Sequence, residues 1–274
     1  MLTEEQRELL NQAFETQGSK ELTLQQTGKI AGHTRLTLKA VELFALEQGY
    51  LPRRYQRNVG SLGIAGQSRL LRSKVIVVGL GGLGGYVLEE LARMGLGRIV
   101  GVDADVFDET NLNRQLLAEE GNLGKHKVPQ AENRLKKINK AVEFVGYSVP
   151  LEKLSDETLR DADLVFDCLD NIEDRLVLAN RCSVVKVPLV HGAIAGWYGQ
   201  VGVIWPDAGT LEKVYRTQSR GLERDVGTPA FTAAVAASLM VAEGIRILTG
   251  KNNRQEQKML FFDLLENEWQ TVTF

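Results

Sequence analysis

The stretch from Lys74 to Asp105, KVIVVGLGGLGGYVLEELARMGLGRIVGVDAD, constrains the fold more than any other part of the chain. Val75 to Val78 form an unbroken apolar run, the pattern of a strand buried on both faces of a parallel sheet. Gly79, Gly81 and Gly84 follow at G-x-G-x-x-G spacing, and Val87, Leu88 and Leu91 then recur at helical spacing up to Gly95. The glycines therefore join a strand to a helix N-terminus. Without Cβ atoms they let the backbone approach an anion, and the free N–H groups and dipole at the helix start favour negative charge there. A second strand over Ile99 to Val102 ends in Asp103, about 20 residues beyond the glycines, where a carboxylate can accept from ribose hydroxyls. Strand, glycine turn, helix, strand and acid together predict a nucleotide site. A dehydrogenase and an ATP-using enzyme can share such a unit, so the rest of the chain has to decide between them.

The remaining pattern is βαβ. VPQAENRLKKIN reads as a helix with Pro129 in its first turn and Lys136, Lys137 and Lys140 on its solvated face. VEFVGYSV reads as a third strand, LSDETLRDA as a short helix capped by Ser155, and DLVFDCLDN and VPLVHGAI as buried strands flanking a helix that carries Arg175. From Gly199 the character changes: QVGVIWPD, MLFFDLLE and WQTVTF read as strands, the last two at hairpin spacing. The expected fold is α/β, a Rossmann-like, mostly parallel sheet with antiparallel C-terminal edge strands. Between those strands Gly227 to Gly250 predicts a long Ala- and Val-rich helix. Glu243 and Arg246 within it, and small residues along one side, argue for a core or dimer helix over a membrane span.

Ahead of this domain (residues 53–274), residues 1–52 predict a small helical segment in which TEEQRELLNQAF, LQQTGKIAG and LTLKAVELFALEQGYL are amphipathic. Thr3 and Gln6 stand at capping-box spacing, with Glu4 and Glu5 in the opening turn. The second and third segments resemble a helix-turn-helix, but LTLKAVELFALEQG carries only Lys39 as a cation and lacks phosphate contacts. A net charge of −2 with dispersed Lys and Arg also argues against nucleic acid as a partner and against an anionic membrane. No signal-peptide pattern is present, and the two cysteines, Cys168 and Cys182, suit a reducing, cytoplasmic setting.

The strand ends would gather Asp103, Asn111, Arg114, Lys127, Asp170 and Asn171 in one crevice. Hydride transfer leaves two cations and a second carboxylate unexplained. Polyphosphate chemistry uses all of them: Arg and Lys neutralise phosphate charge, and a carboxylate can hold Mg²⁺ bridging phosphate oxygens. Singly, each has a plainer role, Lys127 as a surface lysine, Arg114 as a salt-bridge partner, Asp170 as a helix cap.

RYQRN, GLGGLG, VDAD, NLNRQ, GKHK, DCLDN and GAIAGWYGQ, in this order and spacing from about Arg53 to Gly250, resemble the ThiF/MoeB/HesA adenylyltransferases, relatives of the ubiquitin-activating enzymes. The resemblance implies activation, with ATP and Mg²⁺, of the C-terminal Gly-Gly carboxylate of a small ubiquitin-fold sulfur-carrier protein in molybdopterin or thiamine synthesis, by a homodimer. It implies Gly82 against the nucleotide, Asp103 on the ribose, Asn111, Arg114 and Lys127 around the phosphates, Asp170 on the metal and Asn171 beside the nucleotide. Arg57 would reach the neighbouring subunit's site. A carboxylate nucleophile is ionised at neutral pH and needs no general base, so His33, His126 and His191 can be structural.

Two departures from the family pattern matter. Where such enzymes carry two C-x-x-C pairs for zinc, this chain reads GTLEKVYR and has no cysteine after Cys182, so no zinc site is expected. The crossover ahead of the long helix offers Leu222 to Gly227 and no cysteine, so no enzyme thioester is expected. Two competing readings remain. One is an ATP-dependent dehydratase or cyclase acting on a modified tRNA nucleoside, which calls for a basic surface. The other is a nucleotide-regulated binding protein, in which Arg114, Lys127 and Asp170 would be surplus.

Overall fold

The structure is a computed structural model that describes residues 2–206, 209–215, 223–251 and 257–274. Its centre is an eight-stranded sheet. In chain order the strands are β1 (Lys74–Val78), β2 (Arg98–Val102), β3 (Glu143–Tyr147), β4 (Leu164–Asp167), β5 (Leu189–Ala195), β6 (Tyr198–Ile204), β7 (Lys258–Asp263) and β8 (Glu268–Thr273). Across the sheet they run β8-β7-β6-β5-β4-β1-β2-β3. β3 to β5 are parallel and the β5-β6-β7-β8 edge is antiparallel, as the sequence pattern predicts. The order reverses between β1 and β4, and it is outside the carboxyl ends of strands at such a reversal that open α/β sheets bind ligands.

The apolar run in β1 is continuous because both faces of the sheet are covered. Val75 and Val77 join one core with residues of α5 (Gly82–Met94), α6 (Lys127–Ile138) and α11 (Ala230–Leu248). Ile76 and Val78 join the other with α7 (Asp156–Arg160), α8 (Ile172–Val185) and α9 (Thr210–Val214). A further short helix, α10 (Glu223–Val226), precedes α11. By length and composition α11 could cross a membrane. Here it packs on α5, β5 and β6, and its small residues Ala233, Ala236 and Ala237 are fully buried, the core placement expected.

The N-terminal segment folds into α1 (Glu4–Glu15), α2 (Leu24–Thr34) and α3 (Leu38–Glu47), with the capping box of Thr3 and Gln6 formed. Leu10, Phe14, Ile30, Val41 and Phe44 make a cluster of their own. A 3₁₀ turn, Arg53–Tyr55, and α4 (Gln56–Arg72, broken at Gly63, φ 71°) lead to β1, so the basic run Arg53, Arg54 and Arg57 lies on ordered turn and helix.

The helices meet the sheet domain at a buried polar joint. Glu42 of α3 is fully enclosed; Arg54 Nε lies 3.3 Å from Oε1 and the Tyr55 hydroxyl donates to Oε2 at 2.8 Å. Asn139, at the end of α6, donates to Tyr55 Oη and to the Ala92 carbonyl in α5, both at 3.1 Å. Burial pushes both the Glu42 carboxyl and the Tyr55 hydroxyl up from their ordinary pKa values, Arg54 opposing the first shift.

Candidate active site

At the carboxyl ends of β1, β2 and β4 lies a cleft of about 570 Å³, within the range of small-molecule sites. Its floor is the glycine turn. Gly79 has φ +87°, and a Cβ there would lie 2.6 Å from the Cys168 carbonyl oxygen. A Cβ on Gly84 would lie 1.9 Å from the Gly79 carbonyl oxygen, so this glycine sets how closely α5 approaches β1 and does not itself line the cleft. Gly81 and Gly82 do line it, at the start of α5, whose first N–H groups have no intrahelical partner.

Asp103 closes one side. Its Oδ2 accepts the Leu80 N–H at 2.7 Å and its Oδ1 the Asp105 N–H at 2.8 Å, so the carboxylate is fixed by the turn it serves. Lone pairs remain on both oxygens to accept from further donors.

Lys127 returns to this point although it follows a long excursion. Val106 pairs with His126 in an antiparallel bridge, and the Lys127 N–H donates to the Asp105 carbonyl at 3.0 Å. The ammonium then sits 2.9 Å from Asp105 Oδ2 and 3.8 Å from Asp103 Oδ2, with only 7% of the side chain exposed. Arg114 lies against Gly82, held by donation to the Thr110 carbonyl and Asn113 Oδ1, each at 2.9 Å.

Opposite the glycine turn, Leu169, Asp170 and Asn171 bridge β4 to α8. Asp170 lines the cleft and is exposed. The cap of α8 is Asn171, whose Oδ1 accepts the Asp174 N–H at 2.8 Å, so the capping role considered for Asp170 belongs to its neighbour.

Among the described residues no group of three or more His, Cys, Asp or Glu could hold a metal by itself. The exposed Asp170 carboxylate in the cleft lining suits an ion such as Mg²⁺, which keeps several waters and uses one or two carboxylates plus phosphate oxygens.

Two expected residues lie elsewhere. Asn111 is outside the cleft lining; its Oδ1 accepts the Asp108 N–H at 3.1 Å and so holds the turn preceding Arg114. Arg57 is exposed in the first turn of α4 and does not line the cleft of its own chain.

The lining also includes residues that sequence reasoning did not assign. Asp105 and Gln115 were visible within VDAD and NLNRQ, and Arg175 falls one turn after the α8 cap. Glu152 and Thr228 come from distant loops and carry no local signal.

Both cysteines are buried. Burial, aided by Asp167, drives the Cys168 thiol pKa well up, only partly offset by Arg175, a cationic neighbour the sequence reading did not foresee. The Cys182 thiol is likewise pushed up to about 12. Neither is poised as a nucleophile. Residues 216–222 of the crossover lie outside the described residues.

A family model described as the ThiF family matches residues 55–274. The chain is 34% identical over 233 residues to a sulfur carrier protein adenylyltransferase of Thermus thermophilus, covering 80% of this chain and 86% of that one. It is 29% identical over 228 residues to the SAMP-activating enzyme E1 of Haloferax volcanii, covering 81% and 84%. Some other curated relatives are longer, the match spanning 50% of one of them. Among solved structures, E. coli MccB with ATP superposes with a TM-score of 0.68 at 20% identity, covering 98% of this chain and 86% of that chain. At that identity the likeness speaks for the fold.

Proposed function

The chain belongs to the ThiF family and is an ATP-dependent adenylyltransferase; on that premise we propose that it adenylates the C-terminal Gly-Gly carboxylate of a small ubiquitin-fold sulfur-carrier protein. The observation that carries this reading is the cleft at the β1/β4 reversal, where Arg114, Lys127 and Asp170 converge on a glycine turn. A dinucleotide leaves those three groups without work; a triphosphate and an attacking carboxylate use all of them.

In the proposed reaction one carboxylate oxygen of the carrier attacks the α-phosphorus. An acyl O–P bond forms, the α–β anhydride bond breaks, and its electron pair leaves with pyrophosphate. The attacking group is already ionised, so the enzyme's task is alignment and charge neutralisation. The turn N–H groups and Gly82 seat the nucleotide, and Asp103 holds the ribose. Arg114 and Lys127, with Asn111 holding the turn that presents Arg114, face the phosphates, and Asn171 stands beside the nucleotide. Asp170 would hold Mg²⁺, which when bound supplies charge neutralisation on the departing phosphates. Arg57, which does not line the cleft of its own chain, would complete the cleft of a partner subunit in a homodimer. With both thiols buried and their pKa values raised, the acyl-adenylate is held noncovalently until a separate sulfur donor attacks it, without an enzyme thioester.

ATP–pyrophosphate exchange with a panel of purified carriers tests this. Exchange should appear with one carrier and vanish when its Gly-Gly end is removed; exchange insensitive to that truncation would refute the acceptor.

A second reading has its own observation. The fold likeness to MccB takes in most of residues 1–52, which the family model does not. MccB is solved in complex with N-formylated MccA. In this reading the acceptor carboxylate belongs to a different kind of polypeptide, held by the N-terminal helices. Exchange unsupported by every ubiquitin-fold carrier would favour it.

A further inference from the structure

Beneath the cleft, a set of buried polar side chains encircles the backbone of one residue, Leu169. The Leu169 N–H donates to Asp167 Oδ1 at 3.1 Å. Its carbonyl accepts from Arg175 Nε and Nη2 at 3.1 and 2.5 Å. Arg175 Nη1 donates to the Tyr215 hydroxyl oxygen at 2.8 Å, and that hydroxyl lies 3.1 Å from His191 Nε2. His191 Nδ1 meets Asp167 Oδ2 at 2.6 Å, which closes the ring. The members come from β4, β5, α8 and the residue following α9, and every one is buried.

Proton placement around the ring follows from valence. Tyr215 Oη accepts from Arg175 and, at 2.7 Å, from Gln200 Nε2 of β6, so both lone pairs are used and its own proton points to His191 Nε2. Gln200 Nε2 also lies 3.1 Å from His191 Nε2. Nε2 is then an acceptor, and Nδ1 carries the proton to Asp167. The imidazole is neutral, in keeping with burial lowering its pKa against the pull of Asp167. Burying so many polar groups is tolerable only when each is satisfied, and a satisfied network is rigid. The residue whose backbone it immobilises, Leu169, directly precedes Asp170.

We propose that Tyr215 is a positioning residue for Asp170: its hydroxyl closes the ring that clamps the N–H and carbonyl of Leu169 and so fixes where the Asp170 carboxylate stands in the cleft. The inference rests on the reading that Asp170 binds Mg²⁺ together with ATP. A ring serving stability alone would leave metal affinity untouched, which separates the two roles.

The test is Tyr215→Phe, which keeps the aromatic ring and removes only the hydroxyl. ATP binding to the full chain is followed by calorimetry across a Mg²⁺ titration and again in chelator. The half-saturating Mg²⁺ concentration should rise at least 5-fold, while ATP binding in chelator stays within 2-fold of wild type. Added to Asp170→Asn, the change should shift the Mg²⁺ dependence no further. His191→Gln, which can still bridge Asp167 and Tyr215, should give a smaller shift in the same direction and keeps the test open if Tyr215→Phe does not fold. An unchanged Mg²⁺ requirement in a folded Tyr215→Phe chain whose thermal midpoint has fallen would overturn the proposal. If Asp170→Asn itself leaves the Mg²⁺ dependence intact, the metal role of Asp170 fails, and the positioning role with it.

Discussion

The cleft and the joint beneath the N-terminal helices both bury ionisable side chains, but they use them differently. In the cleft, Lys127 and Asp103 are enclosed beside an open volume, and Asp103 is anchored by backbone N–H groups with lone pairs to spare. In the joint, Glu42 is fully enclosed, its Oε2 accepts from the Tyr55 hydroxyl, and its Oε1 has the Arg54 charge nearby but no hydrogen bond. The first arrangement leaves capacity for a ligand. The second spends its capacity on holding α3 against the Arg53–Tyr55 turn and the end of α6, with a desolvation cost that shows as a raised Glu42 pKa. Buried charge alone is therefore a poor marker of a functional site; unspent hydrogen-bonding capacity facing a cavity is a better one.

Substitution at Lys127 should break this contrast most visibly. Lys127→Ala is expected to lower exchange activity by about 10²–10³-fold, as for loss of one preorganised cation or donor, with a thermal midpoint close to wild type. A large loss of stability with full activity per folded molecule would reverse the assignment. Arg57→Ala should be nearly as damaging although Arg57 lines no cleft of its own chain. Mixing it with an Asp170→Asn chain under subunit exchange should restore activity, because one composite site regains both groups. No recovery despite exchange would exclude action in trans.

On the joint side, Glu42→Ala should cost stability of about 3 kcal/mol, since it strands Arg54 and the Tyr55 hydroxyl, with kcat of the folded fraction unchanged. Denaturant titration beside an activity assay separates the two effects. Glu42→Gln sharpens the point through pH. A raised native pKa means that the folded chain holds a proton the unfolded chain releases above pH 4.5. Wild type should therefore lose stability relative to the glutamine variant as pH rises from 4.5 through the raised value. A difference that shrinks with rising pH would show that Arg54 outweighs desolvation. The smallest effect should come from Cys168→Ala with Cys182→Ala: adenylation retained, and stability lowered by roughly 1 kcal/mol per site. Loss of a thiol-sensitive adduct between carrier and enzyme in that double variant would reveal a cysteine at work.

The sequence made the cleft legible where function resides in local spacing. Gly79 and Gly84 had to mark a strand–helix turn because a Cβ at either would collide with backbone atoms, and Asp103 had to end the next strand. Arg114, Lys127 and Asp170 were recoverable because parallel strands deliver their carboxyl ends to one side. What stayed hidden depends on contacts between distant segments. Nothing near Tyr215 announces that its hydroxyl meets Arg175, 40 positions away. Nothing in LTLKAVELFALEQG announces that Glu42, an acid on a helix, faces inward. Asn111 carries a contact that spacing did not announce: beside the ligand role its place near Arg114 suggests, its Oδ1 holds the turn ahead of Arg114.

The central claim is that this chain joins an AMP group to a carrier carboxylate. Its most direct test follows ATP labelled separately at the α- and γ-phosphorus, with the purified chain, Mg²⁺ and a carrier that supports exchange. The account predicts that α-label appears on the carrier while γ-label leaves as pyrophosphate, in equal amounts. Release of γ-label as inorganic phosphate, with ADP formed and no α-label on the carrier, would contradict it.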